Sequence, residues 1–461
     1  MPSNDSLGFF IISFFNGLMH RRSFLKHSAL MACSVYPVLH SFGAKAWGQS
    51  DRQEFDVIPV TGGEKQHWFG YYDKWQIDPS GRYALGGEVD TFFRSPTPED
   101  VLHIGLIDLE NGNTWKRIGQ STSWGWQQGC MLQWIPGSSE EVIWNDHGEG
   151  GFVSHVHHIK TGQTRTLPRA VYTLSPDGKF ALCVDFDRLQ YFRPGYGYPA
   201  QNPVDAWPKA PSDSGIYRMD LQTGESSLIL SFEQIAAFHR PEGSVKDNFH
   251  WFNHLLINPS GTRFIFLNRS RPVGSYDEMT DYIKKNPGAR TGFSRHYVTR
   301  ALTANTDGSE VYPLNDSGSF SHFIWKGDDT ICAWAVPEGQ SRAAFFEFPD
   351  LSKESSQVGK GIMTRNGHNT YVPGTNYEWI LNDTYPGGKE RLQELYLYHT
   401  PSKRKVTLGK FHEPSRFTGE WRCDLHPRCN QQGTRVFFDS THEGGRRQMY
   451  SIDISNIIQA E

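Results

Sequence analysis

Ile257-Asn-Pro-Ser-Gly261-Thr-Arg-Phe-Ile-Phe266 sets a Pro/Gly turn between two apolar runs, and versions of it recur along the whole chain. Leu174-Ser-Pro-Asp-Gly178-Lys-Phe-Ala-Leu182 and Ile77-Asp-Pro-Ser-Gly81-Arg-Tyr-Ala-Leu85 repeat it closely. Looser copies run from Leu132-Gln-Trp-Ile-Pro-Gly137 to Val142-Ile-Trp144, from Phe323-Ile-Trp-Lys-Gly327 to Ile331, and from Tyr371-Val-Pro-Gly374 to Trp379-Ile-Leu381. The last opens on His426-Pro-Arg-Cys-Asn-Gln-Gln-Gly433 and ends at Phe438. Proline presets one turn dihedral and glycine admits the other, so each unit reads as an antiparallel hairpin. A third strand and a second turn follow most units, as in Ile104-Gly-Leu-Ile-Asp-Leu-Glu-Asn-Gly112 and Ile216-Tyr-Arg-Met-Asp-Leu-Gln-Thr-Gly224.

Seven such units predict an all-β fold, a seven-bladed β-propeller over residues 47–461. Phe55-Asp-Val-Ile-Pro-Val60 is the expected source of the last blade's outer strand, closing the ring from the N-terminal side. Each unit spans roughly 59 residues where a blade needs about 40–45, so some connections are long. The surplus falls at 187–213, 231–253 and 270–295, stretches rich in Tyr, Arg and Pro. Long loops of this kind often carry function.

The chain of 461 residues has a formal charge of −4, which argues against a general nucleic-acid or anionic-membrane binder. Residues 1–46 read as an export signal. Arg21-Arg22-Ser-Phe-Leu-Lys26 matches the twin-arginine pattern, Ser28 to Phe42 is apolar, and Ala44-Lys-Ala46 is a small-x-small cleavage site. Met19 precedes the arginine pair, making residues 1–18 a candidate over-extension of the start. The apolar stretch is too short to span a membrane stably. Leu30-Met-Ala-Cys33 offers lipoprotein anchoring as an alternative, and the expected location is periplasmic or secreted. Of the five cysteines beyond that signal, Cys423 and Cys429 flank His426 and are the candidate disulfide, with a Cys-x2-His-x2-Cys metal clip as the alternative. The remaining odd cysteine rules out full pairing within one chain.

In a propeller the innermost strands line the axis, so residues at their openings share one mouth of the channel. These openings are His67, Gln127/Gln128, Tyr172, His254, His322, His368 and His426. Neutral imidazoles brought together can hold a transition metal and leave positions open for substrate. A metal beside a uronate carboxylate acidifies the proton at C5, and a nearby base removes it. Arginines in or beside the long loops, Arg188, Arg193, Arg240, Arg269, Arg271 and Arg295, supply candidate carboxylate contacts. No Gly-x-Ser-x-Gly elbow, phosphate loop or His-Glu-x-x-His helix is present. Paired acids for glycoside hydrolysis leave no local signature, and Asp73, Asp185 and Asp187 are the candidates for that chemistry.

From about Asn253 to Trp334 the chain resembles oligogalacturonate lyases and related exported propellers akin to TolB. The matching features are Asn253-His254 followed by Asn258-Pro-Ser-Gly261, the Asn305-Thr-Asp-Gly308 turn, and Ser321-His322-Phe323. The resemblance implies a divalent metal, usually manganese, held mainly by histidines against the substrate carboxylate; Ca2+ and Zn2+ are the alternative expectations for this chain. His322 then looks like a metal ligand and His254 like the base or another ligand, while His368 falls in the right blade for a further ligand. His426 is added by repeat position. Ulvan lyases, also secreted propellers, place a Tyr and an Arg on a hairpin much as Tyr172 and Arg188 stand here.

The expectation is therefore an exported, monomeric lyase cutting an acidic oligo- or polysaccharide by β-elimination. His254, Tyr172 and Arg188 are its catalytic candidates, Arg240, His67 and Gln128 its substrate contacts, and His322, His368 and His426 its metal ligands. A glycoside hydrolase on the same fold and a non-catalytic TolB-like envelope scaffold are the alternatives.

Overall fold

The computed structural model describes residues 55–201, 206–238, 245–286 and 296–459. The described strands form seven four-stranded antiparallel sheets, arranged as the blades of a β-propeller. Blade 1 takes its four strands from Gln66–Ser121, blade 2 from Gln133–Leu167 and blade 3 from Thr173–Ser231. Blade 4 spans Phe249–Gly318, blade 5 Phe320–Gln357 and blade 6 Thr370–His412. Blade 7 runs from Arg428 to Asp453 and has Ile58–Pro59 as its fourth, outer strand, with Ile58 opposite Ser451 and Pro59 opposite Tyr450.

The repeated turn works the same way in each of four blades. The residue before the turn accepts the backbone N–H groups that follow it. Asp78 Oδ1 accepts from Tyr83 at 2.7 Å, and Ser175 Oγ accepts from Phe180 at 3.0 Å. Asn258 and Asn430 each accept two successive N–H groups through Oδ1. Such local side-chain caps satisfy turn donors that would otherwise compete with the ladder. The glycines also fit blade to blade. Gly178 (φ 69°) and Gly433 (φ 66°) are left-handed, and a Cβ there would lie 2.6 Å from Pro136 O and 2.2 Å from Pro373 O, both in the preceding blade's turn.

Apolar faces of neighbouring sheets pack together, and tryptophans tie them by hydrogen bonds. Trp134 Nε1 of blade 2 donates to Gln76 O of blade 1, and Trp325 Nε1 of blade 5 donates to Leu256 O of blade 4, each at 3.0 Å. Much of the tryptophan content is thus spent in the core, where Trp124, Trp126 and Trp144 also give their indole N–H to carbonyls.

The long connections carry short helices at Phe186–Phe192, Phe232–Ala237 and Tyr276–Lys285. The second and third open with reciprocal capping boxes, Ser231 with Gln234 and Ser275 with Glu278. No helix among the described residues is long and apolar enough to cross a membrane. The twin-arginine segment, its cleavage site and Cys33 lie outside the described residues. The candidate disulfide is not formed: Cys423 and Cys429 are free thiols buried at the blade 6–7 junction. Burial pushes the Cys429 thiol up to about 12, as it does Cys183 and Cys332, so all three are inert at neutral pH.

Candidate functional site

The inner strands of several blades are interrupted where their histidines stand. His254 (φ 51°), His322 (φ 36°) and His426 (φ 42°) are all left-handed, as is Met131 (φ 56°) at the corresponding place in blade 2. The ladder register shifts at Asn253/Leu256 and at Ser321/Phe323, the mark of a β-bulge. Left-handed backbone costs a non-glycine residue about 1–2 kcal/mol. Three imidazoles share it in one place, and strain of this kind clusters at functional sites.

Blade 1 contributes Tyr71, Tyr72 and Asp73 rather than its strand-opening histidine. Tyr71 is a hub: its ring makes edge contacts with His254 (5.0 Å between centroids), His426 (5.1 Å) and His368 (5.9 Å). The His368 ring in turn stands 4.2 Å from that of His322 and 4.3 Å from that of His426. Three histidines from different blades therefore meet around Tyr71, His322 of a fourth blade joins them through His368, and all four are buried.

His368 is oriented by Asp383. Its backbone N–H donates to Asp383 Oδ1 at 2.6 Å, and its Nδ1 lies 3.0 Å from Oδ2. Burial alone would lower the basicity of His368, but the Asp383 carboxylate outweighs it and raises it. Nε2 of His368 is left with no hydrogen-bond partner, as are Nε2 of His426 and Oδ1 of Asp424. One ligand atom from each of His368, Asp424 and His426 falls within 4.8 Å of the others. Burial, then the neighbouring His368, holds His426 well below the usual histidine range, so its imidazole is neutral. Two imidazoles and a carboxylate converging with orphaned donor atoms, one of them backed by a second carboxylate, fit a divalent cation. His322 stands beside this set with both nitrogens engaged, Nδ1 2.9 Å from Asn366 Oδ1 and Nε2 3.2 Å from the Tyr385 hydroxyl.

His254 faces a different partner. Its Nε2 lies 3.4 Å from Asp73 Oδ2, a close approach outside hydrogen-bond alignment, and its ring stacks on Phe323 at 4.0 Å. Burial lowers the basicity of His254 more than Asp73 restores it. Asp73 Oδ2 also accepts from Lys74 Nζ at 3.0 Å. Burial would raise Asp73, yet Lys74 and then His254 hold it down to about 2. The result is a neutral imidazole beside a permanently ionised carboxylate, the electrostatic arrangement of a general base.

Tyr196, in the loop after helix Phe186–Phe192, completes the polar set. It accepts from Arg422 Nη2 at 2.9 Å, and Arg193 lies 4.1 Å over its ring. Burial opposes its ionisation, but Arg422 and Arg193 bring the phenol down to about 7. Arg422 also donates to Asp424 Oδ2 at 2.8 Å, linking Tyr196 to the three-donor cluster.

Other expected site residues have different occupations. Tyr172 is fully buried: its hydroxyl accepts the His254 backbone N–H at 2.7 Å and exchanges hydrogen bonds with the Gln128 amide. Burial raises its phenol, so Tyr172 braces His254 and Gln128 braces Tyr172. Arg188 gives Nε to His250 O and Nη2 to Pro208 O and Lys209 O, fastening its helix to blade 4. His67 bonds Gln448 and Glu88 on the wall of a cavity between blades 1 and 7 and is not among the rings around Tyr71. Arg240 lies outside the described residues. Of the three candidate hydrolytic acids, Asp73 joins the histidines, whereas Asp185 pairs with Ser214 at the start of helix Phe186–Phe192, where burial pushes it up to about 6.

Asp383 and Asp424 were within reach of the sequence. Asp383 faces His368 two residues beyond the Thr370–Leu381 pair of the same hairpin, and Asp424 precedes His426 by two. Tyr196 has no such signal, because a loop with no repeat counterpart delivers it.

No family model matches this sequence, and no curated protein matches it. Solved structures do. A manganese-bound oligogalacturonate lyase superposes with TM-score 0.59 at 13% identity, over 88% of this chain and 97% of that one. An oligogalacturonate lyase from Vibrio parahaemolyticus gives TM-score 0.57 at 15% identity, over 88% and 95%. The chain has the fold of the oligogalacturonate lyases. A TolB structure from Acinetobacter baumannii is a looser match, with TM-score 0.37 at 14% identity over 72% of this chain and 64% of that one.

Proposed function

We propose that this protein is an exported lyase that cleaves a uronate-containing oligo- or polysaccharide by β-elimination. The observation that carries this reading is the pairing of a neutral, carboxylate-flanked His254 with the His368, Asp424 and His426 cluster, both in contact with Tyr71. The fold likeness to oligogalacturonate lyases, one of them bound to manganese, supports it.

His368, Asp424 and His426 would hold the divalent metal, manganese first, with His322 adjoining them. Bound there, the metal draws charge from a uronate carboxylate and makes the C5 proton more acidic. His254 takes that proton, and the resulting imidazolium is stabilised by Asp73 at 3.4 Å. Tyr172 fixes the His254 backbone and Asp383 fixes the His368 ring, so both reacting histidines are set before substrate arrives. The C4–O bond then breaks, the departing oxygen takes a proton from solvent, and a C4–C5 double bond conjugated with the carboxylate remains, which absorbs in the ultraviolet.

The test is to incubate the purified protein with pectin fragments, ulvan and glucuronate-capped glycans, with and without chelator. The reading expects chelator-sensitive growth of the unsaturated-uronate absorbance. Release of reducing sugar without unsaturation would replace it by hydrolysis, and no product from any of the three would sink both. Export through Arg21-Arg22 is checked by replacing the pair with lysines, which should retain the protein in the cytoplasm.

A further inference from the structure

Among the described residues, Arg269 is a buried cation without an anion. It stands in the blade 4 strand Arg263–Arg271, opposite Trp251 on one side and Thr299 on the other, and is 4% exposed. Its guanidinium lies 4.9 Å over the Tyr297 ring, and its Nε and Nη1 are buried with no hydrogen-bond partner. No carboxylate pairs with it among the described residues. Other buried arginines are provided for: Arg300 donates to Asp316 at 2.8 Å, Arg428 to Asp439 at 2.9 Å, and Arg188 to three carbonyls. A buried charge is expensive unless it is paired, so an arginine left alone in this way points to a partner that the described residues do not supply.

Its surroundings say where that partner goes. Arg193 approaches the same tyrosine from its other end, donating to the Tyr297 hydroxyl. The two guanidiniums thus share Tyr297, and Arg193 carries on to the Tyr196 ring. Arg269 also stands two residues from Leu267, the register partner of Asn253 next to His254, and its charge adds to the lowering of His254 that burial begins. The cluster of His368, Asp424 and His426 answers instead to Asp383 and Arg422.

We propose that Arg269, flanked by Arg193, is a carboxylate-binding subsite beside His254, separate from the His368, Asp424 and His426 cluster. The inference rests on the uronate reading and deepens it. With one carboxylate gripped at the three-donor cluster and a second by Arg269, the substrate class is an oligosaccharide bearing at least two acidic groups, and a chain with a single charged sugar is a poor ligand. The planar guanidinium fork suits a carboxylate, and burial beside the Tyr297 ring strengthens the contact by excluding water.

The experiment is calorimetric titration with trigalacturonate and with its methyl-esterified, neutral counterpart, on chelator-treated and manganese-loaded protein. The wild type, Arg269→Met and Arg269→Lys are compared, with thermal unfolding recorded for each. The expected result is charge-dependent binding of trigalacturonate even without metal. Arg269→Met weakens it by roughly tenfold or more, and Arg269→Lys, which keeps charge and loses the fork, weakens it less. Manganese content stays the same in all three proteins. The melting temperature of unliganded Arg269→Met holds or rises because an uncompensated charge has gone, whereas a merely structural arginine would lower it. Wild-type affinity in Arg269→Met overturns the proposal, as does failure of the wild type to prefer the charged ligand. Should Arg269→Met not fold, unaltered affinity in Arg269→Lys overturns it equally. Charge-dependent binding through Arg269 with no unsaturated product would sink the lyase reading and leave the subsite standing.

Discussion

Blades 2 and 3 have Gln128 and Tyr172 just before their inner strands; blade 4 has His254 at the bulge within its inner strand, and blades 6 and 7 have His368 and His426 just before theirs. Both groups use polar residues and the same hairpin, yet they end differently. Gln128 and Tyr172 satisfy each other, and the Tyr172 hydroxyl then accepts the His254 N–H. The three histidines keep an Nε2 buried without a hydrogen-bond partner. Buried polar atoms in a native protein are nearly always paired, so openings that close on themselves are frame and openings left unpaired are site. Five inner-strand positions divide by this criterion where residue type alone does not divide them.

The sharpest way to break that comparison is to change one member from each side. His254→Gln should cut kcat by at least about a hundredfold, the usual contribution of a positioned base, with the melting temperature little changed. Tyr172→Phe should do the reverse. It leaves the His254 N–H unpaired in a buried setting, costing about 1–3 kcal/mol in chemical denaturation, while activity falls less than tenfold. A Tyr172→Phe protein as inactive as His254→Gln would make Tyr172 part of the chemistry and erase the division.

A smaller effect separates the cluster from its backing. His368→Ala with His426→Ala should abolish bound divalent metal by elemental analysis. Asp383→Asn, which touches no ligand atom of the three-donor set, should weaken metal binding by about 10–100-fold through the orientation of His368. His67→Ala is the control from blade 1 and should leave metal content unchanged, since His67 is committed to Glu88 and Gln448. Metal loss in the His67 variant would reopen its place in the site.

These contrasts also show how much of the molecule could be read beforehand. The propeller was legible because its turn is a local device: Asn258, Asn430, Ser175 and Asp78 cap the N–H groups that follow, and Gly178 and Gly433 occupy left-handed turns. Chemistry confined to a few consecutive residues leaves a mark in the sequence. The meeting of His254, His322, His368 and His426 was legible for a related reason, since equal positions in a repeat converge on its axis. His67 failed that rule because blade 1 sends Tyr71 and Asp73 to the axis from just past its inner strand, Gln66–Trp68. The partners of Arg188 and Tyr172 were not legible, because residue type says nothing about which partner is reached first, and for these two the partners are carbonyls, Gln128 and a backbone amide. Tyr196 was illegible because its place depends on a loop with no equivalent in other blades.

The pH dependence tests the base itself. Burial lowers His254 below the ordinary 6.5, so the imidazole stays neutral into mildly acidic solution. Activity should therefore rise along an acid limb centred below pH 6.5 and remain flat above it until another group intervenes. The kcat/KM profile of the free enzyme reports that limb. Asp73→Asn removes the charge that partly offsets burial, so the limb should move further toward acid while kcat falls, the imidazolium having lost its stabiliser. A limb that stays put in Asp73→Asn would detach Asp73 from the base.

The smallest expected effect is a null shift, and it bears on the blade 7 histidine. Cys423 and Cys429 bracket His426 in sequence, and a bond between them would have fixed that histidine covalently; the structure leaves both as buried thiols. What holds His426 instead is non-covalent. Asp439 accepts from Arg428, Arg428 donates to the His426 carbonyl at 2.6 Å, and the inner strand is fastened to its neighbour. Adding a thiol reductant should therefore leave the melting temperature and the metal content unchanged, whereas a disulfide closing a loop this short would stabilise by about 2 kcal/mol or more and show as a clear drop on reduction. Arg428→Met should do what reduction does not, loosening the His426 backbone and weakening metal binding without touching a ligand atom. A reductant-sensitive protein would return the blade 7 opening to the covalently built class and remove it from the group whose unpaired atoms define the site.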